Sequence, residues 1–107
     1  MSRNFIQLFL TCANEEEADK ISSILLEQKF IACAKAMPIK STFNWENKLN
    51  HDDEILLIMD SAADLFEEID SQIDKIHSYD VYNLQAIVTS HISKSTADWL
   101  SENLRNG

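Results

Sequence analysis

Glycine is all but missing from this chain. The only one is the last residue, Gly107. Loops that cradle phosphates need glycine where the backbone approaches the ligand, so the P-loop and the dinucleotide-binding fingerprint are both excluded. Proline occurs once, at Pro38, and cysteine twice, at Cys12 and Cys33. Two cysteines so far apart make neither a disulfide framework nor a zinc module. No apolar run approaches the roughly twenty residues that cross a bilayer. At the N-terminus, MSRNFIQLFLTCANEEE sets an arginine before a short apolar run, but Glu15, Glu16 and Glu17 follow too soon for a signal peptide. A cytoplasmic protein is therefore expected. Basic charge is also scarce: 9 Lys and Arg stand against 18 Asp and Glu, a net charge of −9. That field repels phosphate backbones and anionic lipid, so neither nucleic acid nor a membrane is an expected partner.

What is present suits one ordinary globule. The 107 residues are 45% hydrophobic and 25% charged, enough for a real core, and 1–107 reads as a single domain. The stretch that organises it is 30–45, FIACAKAMPIKSTFNW. It alternates small and polar side chains, is interrupted at Pro38, and resumes with Ile39, Ser41, Phe43 and Trp45 on one face of an extended strand. Proline donates no ladder hydrogen bond, so this strand belongs at an edge. A long edge carrying Phe43 and Trp45 invites aggregation unless it is covered. Another copy of the same chain is the expected cover.

The other elements follow in order. FIQLFLTC, 5–12, is apolar almost throughout and reads as a strand buried on both faces. Asn14 has the place of an N-cap, with Glu17 at capping-box spacing, and opens a helix to about Lys29 along Ala18, Ile21, Ile24, Leu25 and Gln28. Glu46-Asn47 suits a tight turn without glycine, because asparagine tolerates the left-handed region. A second strand buried on both faces is expected at 54–59. Ser61 with Asp64 is the expected cap of a helix through Ala62, Leu65, Phe66, Ile69, Ile73 and Ile76, ending near His77. A fourth strand covers 84–89. A short last helix, capped by Ser95 with Asp98, is expected to dock through Trp99, Leu100 and Leu104. The order is βαββαβ with an extra C-terminal helix: two βαβ units with both helices on one face of an antiparallel sheet. This α+β arrangement is ferredoxin-like, and its second face is open.

These residues resemble the CutA family of divalent-cation tolerance proteins over roughly 5–104. Ala13-Asn14-Glu15-Glu16-Glu17-Ala18 matches the entry to the family's first helix, and Ile31-Ala32-Cys33 its Ala-Ala-Cys. Residues 41–49, STFNWENKL, match a Ser-x-Tyr-x-Trp-x-Gly-x-Leu hairpin. Glu54 before the apolar strand, His77-Ser78-Tyr79 for a His-Pro-Tyr, and Trp99-Leu100 complete the set. Some positions depart. Phe43 replaces a tyrosine and Asn47 a glycine, while Asp60-Ser61 stands for Lys-Thr and Tyr82-Asn83 for Pro-Glu. The resemblance implies a homotrimer linked to divalent-metal tolerance, with no obligatory cofactor and copper as the candidate ion.

The chemistry legible in the residues is thin. Cys33 and His77 are the candidate metal ligands, since thiolate and imidazole suit copper. Each also has a plainer role: buried cysteine packs as a small hydrophobe, and histidine at a helix C-terminus caps it. Trp45, Asp60 and Tyr79 are the candidate ligand-binding residues, with Trp45 equally placed to anchor a neighbouring subunit. Asp60, in place of the family lysine, favours a bound cation. His51 and His91 carry no assigned role. Cys12 and Cys33 are expected two strand spacings apart, on the order of 9–10 Å, and so unbridged. No Ser/His/Asp, Cys/His or paired-carboxylate set is legible, so no enzyme is expected. The alternative to metal tolerance is a trimeric signalling or small-ligand module with its site between subunits.

Overall fold

The computed structural model describes residues 3–107, and the expected fold is there. Strand β1, Phe5–Cys12, leads into helix α1, Glu15–Glu27. Strands β2, Cys33–Trp45, and β3, Lys48–Ala62, form a long hairpin; a 3₁₀ turn at Ala63–Leu65 then joins α2, Phe66–Ile76. Strand β4, Leu84–Val88, and helix α3, Lys94–Asn103, complete the chain. All pairings are antiparallel and the sheet order is β2-β3-β1-β4. This is the ferredoxin-like order. It leaves β2 at an edge, as Pro38 requires.

Along β1 burial alternates strictly. Ile6, Leu8, Leu10 and Cys12 are sealed, while Phe5, Gln7, Phe9 and Thr11 stay half-open. The sealed set joins Leu57 and Met59 of β3, Ile21 and Leu25 of α1, and Ile69 and Ile73 of α2 in the core. The expectation that β1 and the apolar part of β3 are buried on both faces is therefore corrected. Both of their faces are apolar, but the helices cover only one.

Local chemistry explains the element ends. Asn14 caps α1 as expected, its Oδ1 accepting from the Glu17 amide at 2.9 Å. The helix ends in a Schellman arrangement: the Lys29 amide donates to Leu26 O at 3.0 Å and the Phe30 amide to Leu25 O at 2.9 Å. Glu46 and Asn47, at φ 51° and 62°, both adopt the left-handed region, as a primed two-residue turn demands.

Three details differ from expectation. Ser61 is not a cap but part of β3, wholly buried, its Oγ donating to Phe30 O at 2.6 Å. The cap of α3 is Ser93, which accepts from the Thr96 amide, and not Ser95. Leu100 and Leu104 dock α3 against the core, but Trp99 remains 43% exposed. The hairpin also runs further than its apolar part. Residues 39–45 and 48–54 pair beyond the end of β1 as a free arm, so the molecule measures 47 × 26 × 21 Å. The arm is mostly exposed, with only Glu54 at its root buried.

Candidate functional site

Two places gather chemistry. The first lies where β1 gives way to α1 and the chain leaving α2 crosses beside it. His77 is the C-cap of α2 and its side chain is fully buried. Its Nε2 lies 2.9 Å from the Thr11 carbonyl, and its Nδ1 accepts from the Tyr79 amide at 3.0 Å. A carbonyl only accepts and an amide only donates, so the proton sits on Nε2 and the lone pair on Nδ1. The Tyr82 ring stacks on the imidazole at 5.2 Å, and Tyr79 tilts against it at 5.0 Å. Tyr82 is itself held by its hydroxyl, which donates to Asp70 Oδ1.

Glu17 ties the same junction from the helix side. Its carboxylate accepts from the Ala13 amide at 2.9 Å and from the Ser78 amide at 2.7 Å. Burial works to raise the Glu17 pKa, but the hydrogen bonds from Ala13 and Ser78 outweigh it and hold the carboxyl below its usual range. Tyr79 extends the junction towards β3, its hydroxyl donating to Glu54 Oε2 at 2.6 Å. Burial first, and then the Glu54 carboxylate, push the Tyr79 phenol up.

Donor atoms of Cys12, Glu17 and His77 lie within 4.8 Å of one another. Thiolate, carboxylate and imidazole together are the right chemistry for a borderline divalent ion. The hydrogen bonds decide against one. A metal on Nε2 would drive the proton to Nδ1, where it would face the Tyr79 N–H donor; a metal on Nδ1 would displace that donor. The Cys12 thiol is pushed up to about 12 by burial, with the Glu17 and Glu54 charges adding to it, and so keeps its proton at neutral pH. These residues do not fit a cation. They form a clasp.

The second place is on the open face of the sheet. Cys33 of β2 stands directly opposite Asp60 of β3, and Asp60 opposite Gln7 of β1, so the three side chains form a row. Gln7 Nε2 donates to Asp60 Oδ1 at 3.4 Å, and Lys35 Nζ lies 3.8 Å from Asp60 Oδ2. The cysteine is partly exposed.

The expected site residues are thus scattered within one chain. Cys33 and Asp60 adjoin. His77 meets β1 at Thr11, four residues beyond Gln7, which is about 13 Å along the strand and two strands across. Cys33 and His77 therefore do not meet within one chain. Trp45, 49% exposed, is at the arm's tip, and Tyr79 is part of the clasp. Cys12 and Cys33 are both free, on opposite faces of the sheet. Sequence reasoning placed Glu17 only as a capping residue and gave Cys12 no role in a cluster. Nothing in the local pattern around either residue announces a contact with His77.

The model of the family described as CutA1 divalent ion tolerance protein matches residues 6–103. The chain belongs to the CutA family. The divalent-cation tolerance protein CutA of Archaeoglobus fulgidus is 35% identical over 99 residues, covering 92% of this chain and 95% of that protein. Its counterpart in Pyrococcus horikoshii is 31% identical over 97 residues, covering 91% and 95%. Among solved structures, CutA1 from Oryza sativa superposes with a TM-score of 0.95 at 25% identity, covering 99% of this chain and 98% of its own. CutA from Archaeoglobus fulgidus, described as periplasmic, gives 0.92 at 32% identity, covering 94% and 99%. These CutA structures superpose on nearly the whole of this chain.

Proposed function

We propose that this CutA-family chain acts as a cytoplasmic homotrimer in divalent-cation tolerance, taking up soft or borderline ions such as copper on the open face of its sheet. The observation that supports it is the cross-strand pair of Cys33 and Asp60, a thiol and a carboxylate side by side on a face that no helix covers. One chain offers two ligands there, fewer than a closed metal site needs, so the site is completed by copies of the chain. The uncovered edge and the free arm with Trp45 are the surfaces those copies use. Trp45 is an anchor in this reading, and the chain partners with itself rather than with nucleic acid or membrane. No catalytic activity is part of this reading.

Light scattering after size exclusion is expected to give 36.9 kDa, three times 12.3 kDa. Calorimetry with Cu²⁺ then tests the site. Cys33→Ser and Asp60→Asn are expected to weaken binding by about tenfold or more, the loss of a charge-assisted contact. His77→Gln is expected to lower stability and leave copper affinity unchanged. Equal copper binding by wild type and Cys33→Ser would put the metal on the general acidic surface, and a monomer in the scattering experiment would remove the trimer.

A further inference from the structure

The body of the sheet braces the arm only as far as Ile55. That residue stands between Cys12 on β1 and Pro38 on β2, and from Glu54 towards the tip β3 has β2 alone as a neighbour. A two-stranded ribbon is marginal without a third strand or a covering face, so the sheet gives most easily where the third strand stops. Pro38 lies on that line and brings no amide to the ladder. Pro38 and Ile55 share the helix-facing side with Cys12, and the space beside them is not filled. Grooves of about 220 and 460 Å³ run along both residues, next to the start of α1 and the two residues before it. The root of the arm is built as a hinge.

Strand alternation turns Glu54 and its register partner Ile39 to the opposite side. Glu54 is only 7% exposed, and its Oε2 accepts from the Tyr79 hydroxyl at 2.6 Å. Among the described residues, no other hydrogen bond or ion pair joins a side chain of 39–54 to the rest of the chain. Tyr79 is itself held by the clasp: its amide donates to His77 Nδ1, and its ring lies against the imidazole. Burial and the Glu54 carboxylate push its phenol up, so it stays protonated and remains the donor. One contact, anchored in the body, thus holds the arm on the side away from the grooves.

We propose that Tyr79 and Glu54 form a latch that fixes the direction of the arm about a hinge at Pro38 and Ile55, so that a second copy of the chain meets an arm already aimed. The proposal rests on the homotrimer reading above. An arm fixed beforehand loses less freedom when a copy takes it, and the assembly is tighter by that difference. With the latch open the arm samples several directions, and only the fraction in the right one is competent to assemble. Tyr79 is a positioning residue here: it acts on the interface through Glu54 and the hairpin, not by touching the copy.

Subunit exchange between unlabelled and isotope-labelled protein, followed by native mass spectrometry, tests it on the assembled chain. Tyr79→Phe removes only the hydroxyl and is expected to speed exchange by about tenfold, the loss of one hydrogen bond to a charged group. Glu54→Met removes the other partner, and in the double variant the two effects are expected not to add, because both remove the same contact. Ser61→Ala loses a buried hydrogen bond away from the arm and is expected to exchange at close to the wild-type rate. The latch is overturned if Tyr79→Phe exchanges like wild type, if the effects of Tyr79→Phe and Glu54→Met add in full, or if Ser61→Ala speeds exchange as much. The Tyr79 and Ser61 variants keep the test decisive even if Glu54→Met fails to fold. A monomer in the scattering experiment would remove the trimer but not the latch. On a Trp99→Phe background the fluorescence anisotropy decay of Trp45 then reports arm motion directly. Tyr79→Phe is expected to add a fast segmental component there, and identical decays with and without the hydroxyl would overturn the latch.

Discussion

The two faces of one sheet are built from equally apolar residues and have opposite fates. Leu8 and Leu10 point at the helices and are fully sealed; Phe5 and Phe9, their neighbours on the same strand, remain half-open. On β3 the same split separates Leu57 and Met59 from Leu56 and Ile58. The open face carries a polar network of its own, Gln7 and Lys35 around Asp60. Apolar residues tell a chain what should leave water, but not which molecule will cover them. The helices answer for one face. For the other, a second copy of the chain is the answer proposed above.

The comparison breaks most visibly at two adjacent residues of β1. Leu10→Ala opens a cavity in a sealed core and is expected to cost ~2–5 kcal/mol in urea unfolding, whatever the protein concentration. Phe9→Ala, one position away on the other face, is expected to act through assembly, so that its unfolding midpoint falls with dilution far more than that of wild type. If Phe9→Ala is concentration-independent and as costly as Leu10→Ala, the two faces are equivalent within one chain and no copy is needed.

A smaller effect probes the boundary between sheet and helices. Ser61 Oγ reaches Phe30 O at 2.6 Å from a site with no solvent exposure. Ser61→Ala leaves that carbonyl without its hydroxyl partner and is expected to cost ~1–3 kcal/mol by chemical denaturation. Ser61→Thr, which keeps the hydroxyl, is expected to recover most of it. No recovery would mean that shape at this position matters more than the hydrogen bond.

Ser61 also marks where reading the sequence ran out. Serine followed by aspartate three positions on is a capping pattern, and locally nothing contradicts it. The β1 register carries β3 on to Ala62, and a pairing of distant segments overrides the local signal. At Ser95 a competing local signal won instead: Ser93 accepts from the Thr96 amide, and the helix begins two residues earlier than the pattern suggested. By contrast the turn at Glu46-Asn47, the Asn14 cap and the edge position of β2 were legible, because each follows from the backbone preference of one or two residues. The candidate site was legible only as residue types. Cys33 and His77 are the right donors for copper, but the distance between them depends on sheet register and order. The clasp joins Thr11, Glu17, His77 and Tyr79 through backbone groups, and backbone partners leave no mark in a sequence.

The clasp gives the covered side a pH dependence. Glu17 has its folded pKa held below the unfolded one, so it contributes stability that is fully present above the ordinary carboxylate range. That contribution is lost as the pH falls through the depressed value, because a protonated carboxyl no longer accepts well from the Ala13 and Ser78 amides. Thermal melts of wild type are thus expected to drop more steeply below that range than those of Glu17→Gln. Parallel curves for the two proteins would show that Glu17 contributes no proton-linked stability.

The smallest expected effect is a gain, and it lies away from both faces. Lys29 closes α1 at φ 60°, a left-handed conformation in which its Cβ crowds the backbone at a cost of ~1–2 kcal/mol. Glycine adopts the same conformation freely but gives the unfolded chain extra freedom worth ~0.5–1 kcal/mol. Lys29→Gly is therefore expected to stabilise the protein by a net ~0.5–1 kcal/mol, raising the urea midpoint with no change in slope. The hydrogen bonds at the site do not interfere, since the Lys29 amide donates to Leu26 and its carbonyl accepts from the Arg105 amide at 2.8 Å, all through backbone atoms. Lys29→Ala separates conformation from charge: it keeps the Cβ and loses the ammonium. If alanine stabilises as much as glycine, the gain comes from the side chain and not from the left-handed backbone.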